Sequence, residues 1–562
     1  MSHSPTVLGI DFGTNSVRAV VIDPADGRTL GTGIAAFQRG DQGVISSPSD
    51  PHLARQHPAD YVETLAAAVA AAIEHTREVH ESAPASIRAI GIDSTASTPI
   101  PVDRANTPLA LLPDFASEPD AMAWLWKDHT SHAEAAAITS LAREQQRPYL
   151  AKCGGSYSSE WFWSKILHCW RTNPRVAQAA YSWVELCDWV PAYLCGHTGP
   201  ASIKRSICAA GHKGLYHESW GGPPSPDFLD ALAPGLSRLR DTISTPALAA
   251  DKPAGTLAPH IAARLGLPPG IPVAVGAIDA HLGAVGSGCA PGTLVKIIGT
   301  STCDCIAVPL AQPLADIPGV CGIVPESILP GCHGIEAGQS AVGDIFNWFV
   351  SRVLGHSGDA ASATHASLTA DAAKLSPAES GLLTLDWHNG NRTILVDPML
   401  TGLTLGQTLA TTPADIYRSL IESTAFGTRM ILDRLTRHGV AIDRIVCCGG
   451  IAEKNALLMQ IYADVLQRPM HIAASDQACA LGAAVFASVV GRVHPNVPAA
   501  QSAMTGTRAQ VYRPDPRHTP AYDSLFNLYR TLHDAFGTPP PPGSLFHVMK
   551  ELLAIQAAAR RS

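Results

Sequence analysis

The chain has no run of about 18 apolar residues, so no segment of it is expected to cross a membrane as a helix. Its first residues carry neither a basic cluster nor a long apolar stretch, and we expect no secretory signal. Lys and Arg number 40 against 48 Asp and Glu, which leaves a formal charge of −8 and no basic excess for nucleic acid. We therefore expect neither a membrane nor a nucleic acid among its partners.

Two familiar nucleotide signatures are also missing. The loop G-x-x-x-x-G-K-[ST] does not occur, which excludes the P-loop route to ATP. Gly283, Gly286 and Gly288 stand in the wrong order for a dinucleotide fingerprint. The 13 cysteines are scattered apart from Cys447 and Cys448, and we expect them to be reduced, as in a cytoplasmic protein.

What is present indicates a large α/β protein. A chain of 562 residues with 46% hydrophobic residues is too long for one core, which predicts roughly two to four domains. Apolar runs that predict strands alternate with helical periodicity, the mark of α/β architecture. We place the boundary between two lobes near residue 290, giving 1–289 and 290–562. The predicted strands and helices that matter below are a hairpin at 7–22, strands at 87–92, 273–278 and 445–448, and helices at 58–80, 341–354, 413–437 and 455–466, followed by a rigid stretch at 539–542.

A short segment occurs twice in loosely similar form. Ile-Asp-Phe-Gly-Thr-Asn-Ser at 10–16 and Ile-Ile-Gly-Thr-Ser-Thr at 297–302 each stand between two apolar runs. Each indicates a strand, a tight Gly-Thr turn and a second strand. Glycine permits the turn, while Thr and Ser offer hydroxyls and backbone amides to an anion. Two such turns that face each other could hold a polyphosphate from both sides, which predicts an ATP-using protein with two related lobes.

Asp11 directly precedes the first of these turns. A carboxylate beside phosphates is repulsive unless a divalent cation lies between them, so one interpretation is Mg²⁺ coordination through water. The alternative is an Asp that caps the turn through its own backbone. The second turn favours the Mg²⁺ interpretation.

Asp279 ends an apolar strand, the place where α/β proteins present reactive groups. A carboxylate there could accept the proton of an alcohol as a phosphoryl group is transferred to it. The alternative is a helix cap, since a helix could begin at Ala280, and the two roles are compatible. Gly449 and Gly450 precede a helix and would allow a flat group such as adenosine to approach the backbone, although a glycine pair alone is weak evidence.

Longer motifs add a resemblance to these separate features. The chain resembles the FGGY carbohydrate kinase family of the actin-like ATPase superfamily, and in particular its bacterial ribulokinases. The resemblance extends from about residue 6 to about 500. The segments that carry it are 93–99, 125–129, 157–163, 185–191, 210–213, 298–304 and 336–340.

The resemblance implies two actin-like lobes and ATP-dependent phosphorylation of L-ribulose to L-ribulose 5-phosphate in arabinose catabolism. It implies that Asp279 is the catalytic base and that Asp11 holds Mg²⁺. The residues implied around Mg²⁺ and the phosphates are Asp11, Gly13, Thr14, Gly299 and Thr300. Those implied to line the nucleotide pocket are Gly343, Asn347, Gly449, Gly450 and Asn455. Those implied to contact the open-chain sugar are Ala96, Trp126, Asp128, Lys213, Asp279 and Glu336.

Two alternatives stay open at this point. A kinase of the same fold could act on another ketopentose or polyol, such as D-ribulose, xylulose or ribitol. More remotely, the chain could be a non-catalytic nucleotide switch, since actin and the heat-shock chaperones share the superfamily. The oligomeric state is also open, a homodimer being one option.

Overall fold

The computed structural model describes residues 4–78, 83–243, 246–539 and 545–561, so the stretch at 539–542 lies outside the described part beyond Pro539. The strands are β1 (Thr6–Phe12), β2 (Ser16–Ile22), β3 (Thr29–Ala36), β4 (Ile45–Ser47), β5 (Asp50–Gln56), β6 (Ile87–Ser94), β7 (Pro99–Val102), β8 (Ala123–Trp124), β9 (Ser182–Glu185), β10 (Pro253–Thr256), β11 (Pro272–Ala274), β12 (Ala277–Ile278), β13 (Thr293–Ile298), β14 (Thr302–Pro309), β15 (Gly322–Pro325), β16 (Cys332–Ala337), β17 (Leu383–Leu385), β18 (Leu403–Leu405), β19 (Arg444–Cys448), β20 (Met470–Ala473) and β21 (Thr507–Tyr512). The helices are α1 (Pro58–Arg77), α2 (Ala83–Ser86), α3 (His132–Glu144), α4 (Phe162–Thr172), α5 (Pro174–Ala179), α6 (Leu186–Leu194), α7 (Ile207–Lys213), α8 (Pro226–Leu232), α9 (Pro259–Leu265), α10 (Asp279–Gly286), α11 (Gly343–Trp348), α12 (Gly358–Ala372), α13 (Pro413–Arg437), α14 (Gly450–Lys454), α15 (Ala456–Leu466), α16 (Ala478–Val490), α17 (Val497–Met504), α18 (Thr519–Gly537) and α19 (Val548–Arg561).

Two large sheets share one topology. In the first, the strand order is β10-β11-β6-β1-β2-β3, and β12 also pairs with β6. In the second, the order is β15-β16-β14-β13-β19-β20-β21. In each sheet a three-stranded antiparallel meander (β1-β2-β3 or β13-β14-β16) is extended by parallel strands, β6 beside β1 and β19 beside β13. The predicted α/β architecture with two related lobes is therefore confirmed.

Several of the elements predicted from the sequence are confirmed, with small shifts or none. The hairpin is β1 and β2, and the predicted helix at 413–437 is α13, which begins at a capping box between Thr412 and Asp415. The helix expected at 341–354 begins as α11 and continues as a π-helix over Phe349–Val353.

The single strand expected at 273–278 is instead divided into β11 and β12. The break falls at Val275 and Gly276. The Val275 amide donates to the Lys252 carbonyl at 2.9 Å. A side chain on Gly276 would come within 2.0 Å of the Cys187 carbonyl oxygen, so only glycine fits there. The chain therefore leaves β11 and returns to the sheet as β12, directly before Asp279.

The two halves of the chain meet through the closely packed helices α10 and α16. A methyl group on Gly482 would lie 1.8 Å from the Leu282 carbonyl oxygen, so the helices approach at glycine. Helix α16 also packs on β1 and β6 of the first sheet. Residue 290 lies in the connection between α10 and β13, and the lobe boundary near it stays a prediction. Among the described residues, the structure contains no helix with the length and apolar character needed to span a membrane.

Candidate active site

Three carboxylates meet where parallel strands of the first sheet end. Asp11 on β1 is in register with Asp93 on β6, and Ala277 of β12 is in register with Asp93 on the other side. Strand β12 leads directly into Asp279, the first residue of α10. The helix-cap alternative considered for Asp279 is wrong, because Ile278 is the N-cap residue of α10 and Asp279 is its first helical residue. The Asp279 carboxylate instead accepts the amide of the adjacent Ala280 at 2.6 Å. The carboxyl ends of the strands thus present an acidic cluster.

The electrostatics of this cluster follow from burial and mutual repulsion. Burial, followed by the charge of Asp11, raises the pKa of Asp279 to about 7. Burial also raises the pKa of Asp11, and this effect is larger than the opposing effect of the Arg18 guanidinium, which lies 3.2 Å from the carboxylate. Burial and the charges of Asp11 and Asp279 raise the pKa of Asp93 well above its ordinary value. Such a cluster is costly unless a cation or a proton lies within it.

Asp93 is a residue of this cluster to which the sequence reasoning gave no role. It is fully buried, and neither of its carboxylate oxygens has a hydrogen-bond partner within the described part of the chain. The available signal was its position, since it ends an apolar strand as Asp279 does. Orphaned carboxylate oxygens beside Asp11 suit a hard divalent cation, which prefers oxygen ligands. Asp11 and Asp93 are therefore the residues that would hold such an ion.

The two Gly-Thr turns form in both sheets as the sequence predicts. The Gly13 amide donates to the Ser16 carbonyl at 3.0 Å, and the Gly299 amide donates to the Ser301 carbonyl at 2.9 Å. In the first turn, Thr14 accepts a hydrogen bond from the indole of Trp126 at 3.0 Å. In the second, Thr300 is exposed, and its carbonyl accepts the Val342 amide at 2.8 Å. Both turns keep polar groups available for an anion.

The glycines expected around the nucleotide lie together beside the second turn. A methyl group on Gly343 would come within 2.7 Å of the Gly299 carbonyl oxygen and 2.6 Å of Ile451, the second residue of α14. A methyl group on Gly449 would lie 2.5 Å from the Ile298 carbonyl oxygen, and the φ of Gly449 is +97°. Gly450 has open space at the same place. Asn347 is exposed on α11, while the Asn455 side chain caps α15 by accepting the Leu458 amide at 2.9 Å.

Replacing Gly343 with alanine is expected to raise the KM for ATP by about tenfold, the effect of roughly 1–2 kcal/mol of overpacking. The added methyl group would push the Gly299 carbonyl, and with it the second turn, whereas no sugar contact is implied here. The KM for the sugar should therefore change by less than about twofold. Steady-state kinetics with each substrate varied in turn checks this.

Gly506→Ala is the matched control for that variant. Its methyl group would reach only Ala474, at an ordinary contact distance of 3.9 Å. It should behave as the unmodified chain. An unchanged KM for ATP in Gly343→Ala would contradict the placement of Gly343 beside the phosphate turn.

A buried ion pair joins the two lobes next to Asp279. The Lys213 ammonium, at the end of α7, donates to both Glu336 oxygens at 2.8 and 3.0 Å, and Glu336 lies on β16 of the second sheet. Burial alone would raise the pKa of Glu336, but Lys213 and two histidines lower it overall. The structure thus brings together two residues that the family resemblance implied as sugar contacts.

Those two histidines are also unassigned by the sequence reasoning. His281 Nε2 lies 3.4 Å and His212 Nδ1 lies 3.5 Å from one Glu336 oxygen, and both rings are fully buried. Burial lowers the pKa of His281 to about 4 and that of His212 well below its ordinary value, so both imidazoles are neutral at pH 7. In the sequence, His281 stands two residues after Asp279, and His212 directly precedes Lys213.

His212, His281 and Glu336 also have the donor set of a transition-metal site. Their ligand atoms lie within 4.8 Å of one another. However, the Lys213 ammonium already occupies both Glu336 oxygens, and a second cation beside it would be repelled. The arrangement suits an ion-paired, hydrogen-bonding carboxylate better than a metal ligand.

The remaining implied sugar residues lie on two segments of the first lobe. Ala96 follows β6 and is half-buried, and Trp126 follows β8 and reaches Thr14. Asp128 is fully buried, and its carboxylate accepts hydrogen bonds from the Ala54 amide at 2.7 Å and from Arg55 and Thr130. Asp128 therefore holds the segment that carries Trp126, and its contact with a sugar stays a prediction.

Comparison with known proteins identifies the family. Residues 6–286 match the N-terminal domain of the FGGY family of carbohydrate kinases, and residues 294–490 match its C-terminal domain. The chain belongs to the FGGY family of carbohydrate kinases. It is 39% identical to the ribulokinase of Vibrio parahaemolyticus, over 94% of this chain and 96% of the relative. It is 40% identical to the ribulokinase of Geobacillus thermodenitrificans, over 94% of each, and 39% identical to that of Mycolicibacterium smegmatis, over 99% of this chain and 97% of the relative.

Solved structures of other sugar kinases share the fold of this FGGY kinase. The xylulose kinase of Rhodospirillum rubrum superimposes with a TM-score of 0.78 over 94% of this chain and 99% of its own, at 23% identity. The glycerol kinase of Plasmodium falciparum, solved with ADP, gives 0.73 over 94% and 98%, at 16% identity. At such identities the likeness concerns the fold, and the two lobes are those of actin-like sugar kinases.

Proposed function

We propose that this FGGY kinase transfers the terminal phosphoryl group of ATP to the terminal hydroxyl of L-ribulose, giving L-ribulose 5-phosphate in arabinose catabolism. The observation that carries the proposal is the 39–40% identity to ribulokinases over nearly the whole length of both chains. The geometry of the site also supports the proposal, because a buried ion pair between Lys213 and Glu336 lies beside Asp279.

The pair offers complementary groups to an open-chain ketose. Lys213 only donates hydrogen bonds and Glu336 only accepts them, so together they can bind a carbonyl and hydroxyls. The Lys213 ammonium also lies 5.5 Å from the centre of the Trp161 ring, which provides an apolar wall. In this proposal the sugar replaces part of the ion pair. The His281 and His212 rings stay packed beside the Glu336 carboxylate, at 3.4 and 3.5 Å from one of its oxygens.

Asp279 is the proposed general base. The bond from the sugar oxygen to phosphorus forms while the bond from phosphorus to ADP breaks, and the hydroxyl proton passes to the Asp279 carboxylate. Its raised pKa makes it a stronger base than an ordinary carboxylate at neutral pH. The hydrogen bond from the adjacent Ala280 amide orients the carboxylate.

The acidic cluster and the glycine turns fit MgATP. The partnerless Asp93 oxygens and Asp11 would hold Mg²⁺, which when bound would neutralise charge on the phosphates. A side chain on Gly299 would meet only the Ser301 carbonyl oxygen, at 3.8 Å, so this glycine leaves open space beside the turn, as a closely bound phosphate requires. The Gly13 and Gly299 turns would position the phosphates from the two lobes.

An assay of ADP release across a panel of sugars tests the proposal. With ATP and Mg²⁺, kcat/KM for L-ribulose should exceed that for D-ribulose, both xyluloses, ribitol and glycerol by at least about tenfold, the range that a few specific polar contacts supply. A preference for another polyol would keep the kinase and overturn the substrate. No sugar-dependent ADP release at all would favour the nucleotide-switch alternative.

A further inference from the structure

A fully buried lysine outside the acidic cluster and the Lys213–Glu336 pair links two separate parts of the proposed sugar site. Lys165 lies on α4, and its side chain has no exposed surface. Its ammonium donates to the backbone carbonyls of Ser97 at 2.7 Å and Leu125 at 2.8 Å, with Trp124 at 3.4 Å. An ammonium has three donors, and three carbonyls from two distant segments surround this one.

The accepting carbonyls flank two implied sugar contacts. Ser97 follows Ala96, and Leu125 precedes Trp126. These segments are far apart in sequence and belong to different sheets, since β6 lies in the large first sheet and β8 pairs with β5. The Lys165 bonds therefore link two backbone segments that are not paired with each other in a sheet.

Glu185 completes the arrangement from the opposite side. Its carboxylate accepts the Thr98 amide at 2.7 Å and the Ser97 hydroxyl, so the segment 97–98 is held by an anion and a cation at once. The charge of Glu185 also acts on Lys165, so the Glu185 carboxylate supplies the counter-charge that a buried ammonium needs.

We propose that Lys165 is a positioning residue for the sugar site, which holds segments 96–98 and 124–126 at a fixed separation through its three carbonyl contacts. This inference rests on the proposed function, because it concerns the same sugar pocket. Lys165 does not touch the sugar and does not act on ATP. Its contribution is to keep Ala96 and Trp126 in place before the substrate arrives, so that binding does not have to order two loops.

Lys165→Met tests this, since methionine keeps the length and apolar stem of the side chain and removes the donors. We expect kcat/KM for the sugar to fall about 10- to 100-fold, as a displacement of roughly 1 Å at a substrate contact does. The KM for ATP should stay within about twofold. Hydrogen–deuterium exchange on the full chain without sugar should increase in residues 94–98 and 123–128 together.

Arg418→Met is the matched control. Arg418 is also a buried cation that donates to a backbone carbonyl of another element, that of Ala372 at 2.9 Å, but it lies on α13 and contacts neither segment. It should lower thermal stability without changing the sugar KM or exchange at 94–98. If Lys165→Met does not fold, Glu185→Gln, which weakens the same anchor of Thr98, should give a smaller rise in sugar KM.

The outcomes separate this inference from the proposed function. If the unmodified chain shows no sugar-dependent ADP release, the proposed function fails, whatever the variants do. If the unmodified chain is active and Lys165→Met loses sugar and ATP efficiency equally, Lys165 is merely structural and the inference is overturned. Exchange that increases in only one of the two segments would also overturn it.

Discussion

Replacing Asp279 with asparagine is expected to lower kcat by about 10²–10⁴-fold, the usual contribution of a positioned general base. Asparagine has nearly the same shape and retains an oxygen that can accept the Ala280 amide, so the start of α10 should be preserved. ATP affinity should change by less than about twofold, because the base acts on the sugar hydroxyl. The variant should also melt slightly higher above pH 7, since it removes one charge from the cluster with Asp11 and Asp93.

Single-turnover kinetics and ATP titration of the variant provide the measurement. Asp251→Asn is a suitable control, because Asp251 pairs with the exposed Lys252 at 3.0 Å. Activity above about a tenth of the unmodified level would rule out a base in the expected range.

A general base acts only when it is deprotonated, so if Asp279 has the proposed role, kcat/KM of the unmodified chain should fall as the pH drops below about 7. Bound Mg²⁺ would lower this pKa, and the acid limb should move to lower pH at higher magnesium.

Lys213→Met is expected to lower kcat/KM for the sugar by more than about 100-fold and to destabilise the fold by about 3–5 kcal/mol. Glu336 is only 5% exposed, and in the variant its buried carboxylate loses the ammonium that pairs with it. It also removes the only donor with which Lys213 could bind a sugar oxygen. Denaturant unfolding and sugar kinetics measure the two effects on the same preparation.

A second substitution separates stability from function at this pair. Lys213→Met combined with Glu336→Gln has no buried unpaired charge, so most of the lost stability should return while the sugar kinetics stay poor. Lys374→Met is the control, because its 2.8 Å pair with Asp371 is exposed and such pairs contribute little. A double variant as unstable as Lys213→Met would show that the cost does not come from an orphaned carboxylate.

Local features of the fold could be predicted because they depend on neighbours in sequence. The two Gly-Thr turns, the hairpin at the start and α13 follow from apolar periodicity, glycine and capping residues within a few positions. The division of β11 from β12 could not be predicted, because it depends on how closely Gly276 approaches Cys187, a residue distant in sequence.

The site shows the same division more sharply. Asp11 could be proposed because it precedes a Gly-Thr turn and Asp279 because it ends an apolar strand, and the motifs resembling FGGY kinases supplied the other residues. Asp93 received no role, since only pairing of β6 between β1 and β12 places its orphaned oxygens between two other acids. Lys165 follows the segment 157–163 that carries part of the resemblance, but its link between Ser97 and Leu125 is visible only in three dimensions.

The sequence by itself determined the α/β class, the duplicated phosphate-type turn, the absence of a P-loop and the family resemblance. Each of these depends on short segments, in which the interacting residues are close together in the sequence. Only the tertiary structure decided which charges meet. Lys213 and Glu336 are 123 positions apart and come from different lobes, yet they form one buried pair flanked by two neutral histidines. The physical reason is burial, because a charge removed from water is costly unless it is paired with an opposite charge. Which charges are buried depends on how the whole chain packs.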